Sequence, residues 1–466
     1  MGNTEEAIMK LISKNAANQK EILGSVDENT EEEIKEIVRL AHEAYEDWSL
    51  MDMSERITIL REVYDVLSEN ADKIAELITK EMGKPINLAE NEVRDTLKNI
   101  LWGLDNAEKV LAPEITYEDE EQMQKVVYAP RGVSVVISPF NFPFSLSCDL
   151  AFKNMIVGNT VINKPDPNLP LLTELLDKLF RSTNLPKGVQ QFVYGGREVG
   201  DILVNQDINM ICFTGNTKTG EHLYKVAAEK MIPILMELGG SAPGIVLEDA
   251  DIDRVIKGMY GKKFSTMGQL CHALKRLIVH ESLFDKVVDG LKNIAESQVI
   301  GDPMDRSVTM GPLVNETQLN KLMDQLEDAK SKGAKIVCGG NRPIDGESYF
   351  EATIVTNVTR DMRIWNEEVF GPVLPIVSFK TEEEAIELAN DTIYGLGSYV
   401  YTTDVEKFER IAKRINTGMV GFNNVAYSAP YNPFGGTKRS GIGRTRGKWG
   451  LMYLCDIKTI SYDKTV

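Results

Sequence analysis

Between Thr30 and Trp48 the apolar positions fall three and four apart: Ile34, Ile37, Val38, Ala41 and Tyr45 line one side of TEEEIKEIVRLAHEAYEDW. That period predicts an amphipathic helix, and Thr30 with Glu33 resembles a capping box at its start. SERITILREVYDVLSENADKIAELITKEMG keeps the period for longer, so an extended helix is expected, with Ser54 capping its start and Gly83 ending it. A further helix is expected after Pro85. On this pattern the first ~110 residues read as helical.

The pattern then changes. APEITYEDEEQMQKVVYAPRG sets β-branched and aromatic residues around an acidic turn, which predicts a β-hairpin, either a plain surface element or an arm that joins subunits. From Val133 to Glu237 short apolar runs (VSVVI, NTVINK, QQFVYG, NMICF, PILME) alternate with helical stretches such as LPLLTELLDKLFRS and TGEHLYKVAAEK. The alternation resumes after Asp249. Strands are expected at RLIVH, AKIVCGG, FEATIVTNV, GPVLPIVSF, GSYVYTT and GMVGFN, and helices around 282–297, 315–332, 382–391 and 404–415. This is the signature of doubly wound α/β units, which bind ligands beyond the carboxyl ends of their strands. The tail LMYLCDIKTISYD becomes strand-like near its end.

Composition narrows the choices. With 52 Lys and Arg against 70 Asp and Glu, the formal charge is −18, which argues against nucleic acid or anionic lipid as a partner. Five cysteines without a C-x-x-C, and only four histidines, argue against a disulfide framework and against a metal site. The N-terminus has no secretory core and no apolar run is long enough to span a membrane, so the cytoplasm is the expected location.

Four segments carry candidate chemistry. In FSTMGQLCHALKR, Cys271 follows a glycine-containing turn that lets the backbone approach a ligand. A thiolate there can add to an aldehyde to give a thiohemiacetal; a cysteine met alone is as readily a small buried hydrophobe. In MELGGSAPGIV, Glu237 ends an apolar strand, and a carboxylate there can activate water against a thioester, or simply cap a turn. In SPFNFPFS the Asn141 amide can donate to a developing oxyanion, or serve only its turn. In EEVFGPV, Glu368 can accept from a ribose and Phe370 can pack on a nicotinamide, or both can be ordinary loop residues.

In their order and spacing these segments resemble the aldehyde dehydrogenase superfamily. Thirty-four residues separate Glu237 from Cys271 and ninety-seven separate Cys271 from Glu368. SPFNFP resembles the family's aromatic–Asn–Phe–Pro motif, ELGG its glutamate motif and GQLC its cysteine motif. EEVFGPV and NPFGGTKRSGIGR resemble its late motifs, and the similarity runs from Thr30 to the C-terminus. The resemblance implies an α/β fold of two Rossmann-type domains plus a small β oligomerisation arm. Residues 1–112 and 132–237 would bind the dinucleotide, 238–430 would form the catalytic domain, and 113–131 with 452–466 would form the arm of a homodimer or homotetramer.

It also implies roles. Cys271 is the expected nucleophile, Asn141 with the Cys271 N–H the oxyanion hole, and Glu237 the base that releases a carboxylic acid. Lys164 in NKPDP is expected at the adenosine ribose. Gly215, Asn216 and Gly220 in FTGNTKTG are expected to border the pyrophosphate. Ser138, Pro139, Phe140, Leu238 and Gly239 are expected along the cofactor, and Glu368 and Phe370 at its nicotinamide end. The substrate is a small aldehyde, the cofactor NADP or NAD, and no metal is expected.

Departures from the family pattern refine this. Pro167 stands where many NAD-preferring members carry a glutamate, so NADP is expected to be accepted. Asn216 replaces a frequent serine and Ser241 a frequent lysine. His272 beside Cys271 invites a Cys–His dyad, but adjacent side chains on one backbone rarely face each other. CHALKR, the short N-terminus and ELGGS resemble the shorter bacterial and archaeal succinate semialdehyde dehydrogenases, with lactaldehyde and glyceraldehyde dehydrogenases as alternatives. A CoA-acylating relative is a further alternative, against which Glu237 argues. An anionic substrate needs a cation at the pocket mouth, and the sequence identifies none.

Overall fold

A computed structural model describes residues 9–466. Two mainly parallel sheets, each flanked by helices and each with one antiparallel edge strand, make an α/β architecture. The first has six strands in the order Gly441–Ile442, Ile234–Glu237, Met210–Thr214, Val133–Ile137, Thr160–Lys164 and Gln190–Phe192. Only the short Gly441–Ile442 strand runs antiparallel to its neighbour. The second has seven, in the order Lys335–Cys338, Thr353–Thr356, Val373–Phe379, Leu274–His280, Ala242–Val246, Gly397–Tyr401 and Met419–Phe422. Runs such as Met210–Thr214 and Ala242–Val246 are buried at every position, as strands covered by helices on both faces must be.

Several expected helices form with small shifts at their ends: Phe284–Glu296, Glu316–Ser331, Glu382–Asn390 and Val405–Ala412. Thr30 and Glu33 make the capping box, their side chains and backbone N–H groups satisfying one another. The acidic-turn segment is a hairpin, Glu114–Glu118 with Gln122–Pro130, and Cys455–Asp463 joins it antiparallel as a third strand. Ile115, Tyr117 and Ile457 on this small sheet are exposed.

The N-terminal region departs from expectation. Residues 1–8 lie outside the described residues, and with them part of the segment read as lacking a secretory core. Lys10–Asn15 and Asn18–Asp27 form an antiparallel hairpin rather than helix. These strands have no helical apolar face to bury, and Asn15 closes the turn by accepting the Ala17 N–H. The hairpin is anchored from outside, by Ser13 Oγ donating to Glu81 at 2.5 Å and Ala16 N–H to the Lys80 carbonyl at 2.8 Å.

The extended helix is also two helices, Met53–Glu69 and Ala71–Met82, broken at Asn70. Asp52, not Ser54, precedes the first, with no side-chain cap bond. Gly83 does end the second, at φ +83°, where a Cβ would crowd Pro312.

Candidate active site

The carboxyl ends of the six-stranded sheet share one edge. Ile137 pairs with Lys164 and with Phe213, and Thr214 pairs with Glu237. The segments leaving that edge are Ser138–Pro139–Phe140, Gly215–Asn216 and Leu238–Gly239. Asn216 caps the helix Thr217–Lys230, accepting the Thr219 N–H at 2.9 Å. Gly220, in the first turn of that helix, makes room for Leu238, whose Cδ2 would lie 2.6 Å from a Cβ there. Phe140 meets Phe370 edge to face at 6.0 Å, so two motifs far apart in sequence are packed together.

Unsatisfied polar groups collect along this edge. Ser138 Oγ and Thr217 Oγ1 are buried without hydrogen-bond partners among the described residues. Lys164 is buried, and among the described residues its ammonium reaches only the Pro165 carbonyl, at 3.5 Å. Burial holds its pKa below the usual lysine value, against the fields of Asp166 and Glu28. A buried ammonium and two idle hydroxyls suit a ligand that brings its own acceptors, as the ribose and phosphates of a dinucleotide do. The approach of Glu28, from the segment following the N-terminal hairpin, was not legible in sequence.

A cavity of about 530 Å³ leads inward to the thiol. Cys271, His272, Glu237 and Thr214 line it, together with Phe142, Leu146, Phe434 and Arg446. Cys271 follows three successive left-handed residues, Thr266, Met267 and Gly268, at φ +52°, +54° and +69°. Two of these carry side chains, a strained arrangement that surrounding contacts must hold. Gly268 is required there, because a Cβ would strike the Gly371 carbonyl.

The Asn141 amide donates to the Gln269 carbonyl at 2.8 Å, which ties it to the cysteine loop. It keeps a second N–H for another acceptor. Among the described residues neither oxygen of Glu237 has a hydrogen-bond partner, and the neighbouring Thr445 N–H is committed to the Phe434 carbonyl at 2.8 Å. Burial therefore pushes the Glu237 carboxyl well above the usual carboxylate range, only partly opposed by Arg444 and Arg446. Burial also pushes the Cys271 thiol up to about 12, with Lys275 acting the other way.

The expectation that Cys271 and His272 point apart is corrected: Sγ lies 3.7 Å from Nδ1. They sit in a turn rather than a strand or helix, so successive side chains converge. Burial and nearby cations lower the His272 pKa to about 4, so the ring is neutral and no thiolate–imidazolium pair forms in the free enzyme.

Buried ion pairs that sequence reasoning missed brace the site, among them Lys275–Glu368 and Lys84–Glu92. Lys275 bonds Glu368, the Gly240 carbonyl at 2.9 Å and the Cys271 carbonyl at 3.2 Å. Glu368 also accepts the Gly240 N–H at 3.1 Å. Any ribose hydroxyl would thus share the Glu368 carboxylate with Lys275. Lys84 pairs with Glu92 and donates to the Asn141 carbonyl at 2.8 Å, while Glu92 accepts the Phe144 and Ser145 N–H groups at 3.1 and 3.2 Å. Lys84 follows the helix-ending Gly83, which is the only local hint that its side chain turns inward.

Lys84→Met is expected to leave Glu92 buried without its cation and to destabilise the fold by on the order of 3–5 kcal/mol. A thermal melt should show the loss, and kcat should fall at least ~tenfold as Asn141 drifts. An unaltered melting temperature would mean the pair does not hold this loop.

The profile of the aldehyde dehydrogenase family matches residues 4–460. The mitochondrial succinate-semialdehyde dehydrogenase of Arabidopsis thaliana is 34% identical over 453 residues, covering 97% of this chain and 86% of that protein. The peroxisomal aminoaldehyde dehydrogenase 1 of Pisum sativum is 37% identical over 455 residues, covering 94% and 90%. Among solved structures, betaine aldehyde dehydrogenase from Staphylococcus aureus in complex with NAD+ superposes with a TM-score of 0.94 at 31% identity, covering 98% of this chain and 92% of that one.

Proposed function

The chain belongs to the aldehyde dehydrogenase family, and from that premise we propose that it oxidises a short-chain aldehyde, succinate semialdehyde in the first instance, to its carboxylic acid. One observation carries this reading: Cys271 and Glu237 line the same cavity, and Asn141 is bonded to the loop that presents the cysteine. Cys271 adds to the aldehyde carbonyl. The Asn141 amide and the Cys271 N–H receive the oxyanion, which favours the tetrahedral adduct. Lys164, Asn216 and the strand-end segments would hold NAD or NADP, which would supply the hydride acceptor that turns the adduct into a thioester. Glu237 then takes a proton from the water that cleaves the thioester, and the acid leaves.

The cavity shape suits a compact substrate. A panel of short aldehydes with both cofactors tests the proposal; failure of every aldehyde to reduce either cofactor would reject it. Product formation that depends on CoA would favour acyl transfer to CoA over hydrolysis. Among the described residues no helix is long and apolar enough to cross a membrane. We place the enzyme in the cytoplasm, as a homodimer or homotetramer that buries the exposed three-stranded sheet.

NADP is expected to be accepted, with kcat/KM within about tenfold of that for NAD, because Pro167 offers no carboxylate against a 2′-phosphate. Initial rates with each cofactor check this. An NAD preference above ~100-fold would reject it and would point to Glu28 or Asp166 as the repelling charge.

A further inference from the structure

The relatives pull in two directions. One is named for a carboxylated aldehyde, the others for aminoaldehyde and betaine aldehyde, which are cationic. The charges around the cavity separate the two cases. Its lining includes four carboxylates: Glu92, Asp95, Asp149 and Glu237. Glu92 is paired with Lys84, Asp95 with Lys98 at 3.1 Å, and Asp149 with Lys153 at 2.6 Å. Burial pushes the Glu237 carboxyl well above the usual carboxylate range, so it competes weakly as an anion, and burial lowers the His272 pKa to about 4. One oxygen of Asp149 lacks a donor, but its charge is already met by Lys153.

Arg446 is different. Among the described residues it has no carboxylate partner; its guanidinium donates to Ser428 Oγ and lies 5.4 Å from the centre of the Phe434 ring. That ring is 5.8 Å from His272, and Cys271 packs on the same small cluster of side chains. One aromatic side chain therefore stands between the guanidinium and the thiol's neighbour. A substrate with a few carbons between aldehyde and acid would bridge that gap.

The backbone adds an independent sign. Arg446 adopts φ +62°, ψ +166°, a conformation that is essentially restricted to glycine. Glycine follows it at 447, so the turn has a permissive residue immediately at hand. Holding a side chain in this geometry costs stability, and what it gains is an unpaired planar cation in the cavity wall.

We propose that Arg446, with Ser428, is the anchor for the distal carboxylate of an ω-carboxylated aldehyde and sets the preference for it over neutral and ammonium-bearing aldehydes. This rests on the aldehyde-oxidising reading above and names the substrate class of the same site. A fork of guanidinium N–H groups and one hydroxyl can meet both carboxylate oxygens.

The test compares kcat/KM for succinate semialdehyde, butanal and 4-aminobutanal in wild type, Arg446→Met and Arg446→Gly at saturating cofactor. The ratio of the semialdehyde to butanal is the readout. It cancels any effect of Arg446 on Glu237, because both substrates pass through the same hydrolysis. The ratio should fall at least about 30-fold in both variants, the scale of a lost charge-assisted contact. Arg446→Gly relieves the backbone and should melt no lower than wild type, so its loss of preference cannot be ascribed to misfolding.

A ratio that survives in Arg446→Gly overturns the anchor while butanal oxidation leaves the enzyme reading standing. A wild-type preference for 4-aminobutanal also overturns it and points to the idle oxygen of Asp149. No cofactor reduction with any of the three overturns both.

Discussion

Cys271→Ala is expected to lower kcat for aldehyde oxidation at least ~10,000-fold, to no measurable cofactor reduction. The loss should be this large because no other cysteine can substitute. Cys148, Cys212 and Cys455 are buried and do not line the cavity, and Cys338, also outside its lining, lies on the edge strand of the seven-stranded sheet. Cys338→Ala should keep wild-type turnover. The thiol should also show its burial directly. With its pKa pushed up to about 12 in the free enzyme, alkylation of Cys271 by iodoacetamide should rise about tenfold per pH unit from pH 7 to 9, without a plateau. Peptide mapping of the alkylated chain would follow it. Oxidation persisting in Cys271→Ala above a thousandth of wild type would remove this sulfur from the mechanism.

Glu237→Gln is expected to separate the two halves of the reaction. One equivalent of reduced cofactor per site should form in a burst, after which turnover should slow by ~100- to 10,000-fold, the usual contribution of a positioned base. The pH dependence gives the second test. A carboxyl whose pKa is raised is protonated, and inactive as a base, below that value. Steady-state kcat in the wild type should therefore climb as pH rises through the raised pKa, and the climb should vanish in Glu237→Gln. Stopped-flow absorbance resolves the burst. Its absence would mean that Glu237 acts before hydride transfer, for instance in deprotonating Cys271.

Much of the parallel sheet could be read from the chain because its strands are buried on both faces and so appear as unbroken apolar runs. The three side chains proposed to react stand out in the sequence for a related reason. Each sits at or beside a strand end, with a glycine or proline turn to mark it. What stayed hidden was interaction across distance. The N-terminal strands have no buried face of their own and are set by Glu81 and Lys80, more than sixty residues away. Asn70 breaks a helix whose apolar period runs straight through it. The partners of Lys84 and Lys275 lie eight and ninety-three residues on, and no local pattern announces either pair. No local pattern marks Arg446 in the sequence, and its left-handed backbone and its place in the cavity lining emerge only from the fold.

The short strand Gly441–Ile442 pairs with Met236 and Glu237, and the adjoining Ser440 receives the Leu238 N–H at 2.8 Å and donates to the Gly239 carbonyl at 2.6 Å. The stretch that supplies Phe434 and Arg446 to the cavity wall is thus the same stretch that clamps the strand carrying the acid. Insertions or deletions there would be transmitted to both at once. Evolution or engineering toward bulkier substrates should therefore find few neutral paths through this stretch, and should diversify exposed lining residues such as Asp95 and Lys98 far more freely.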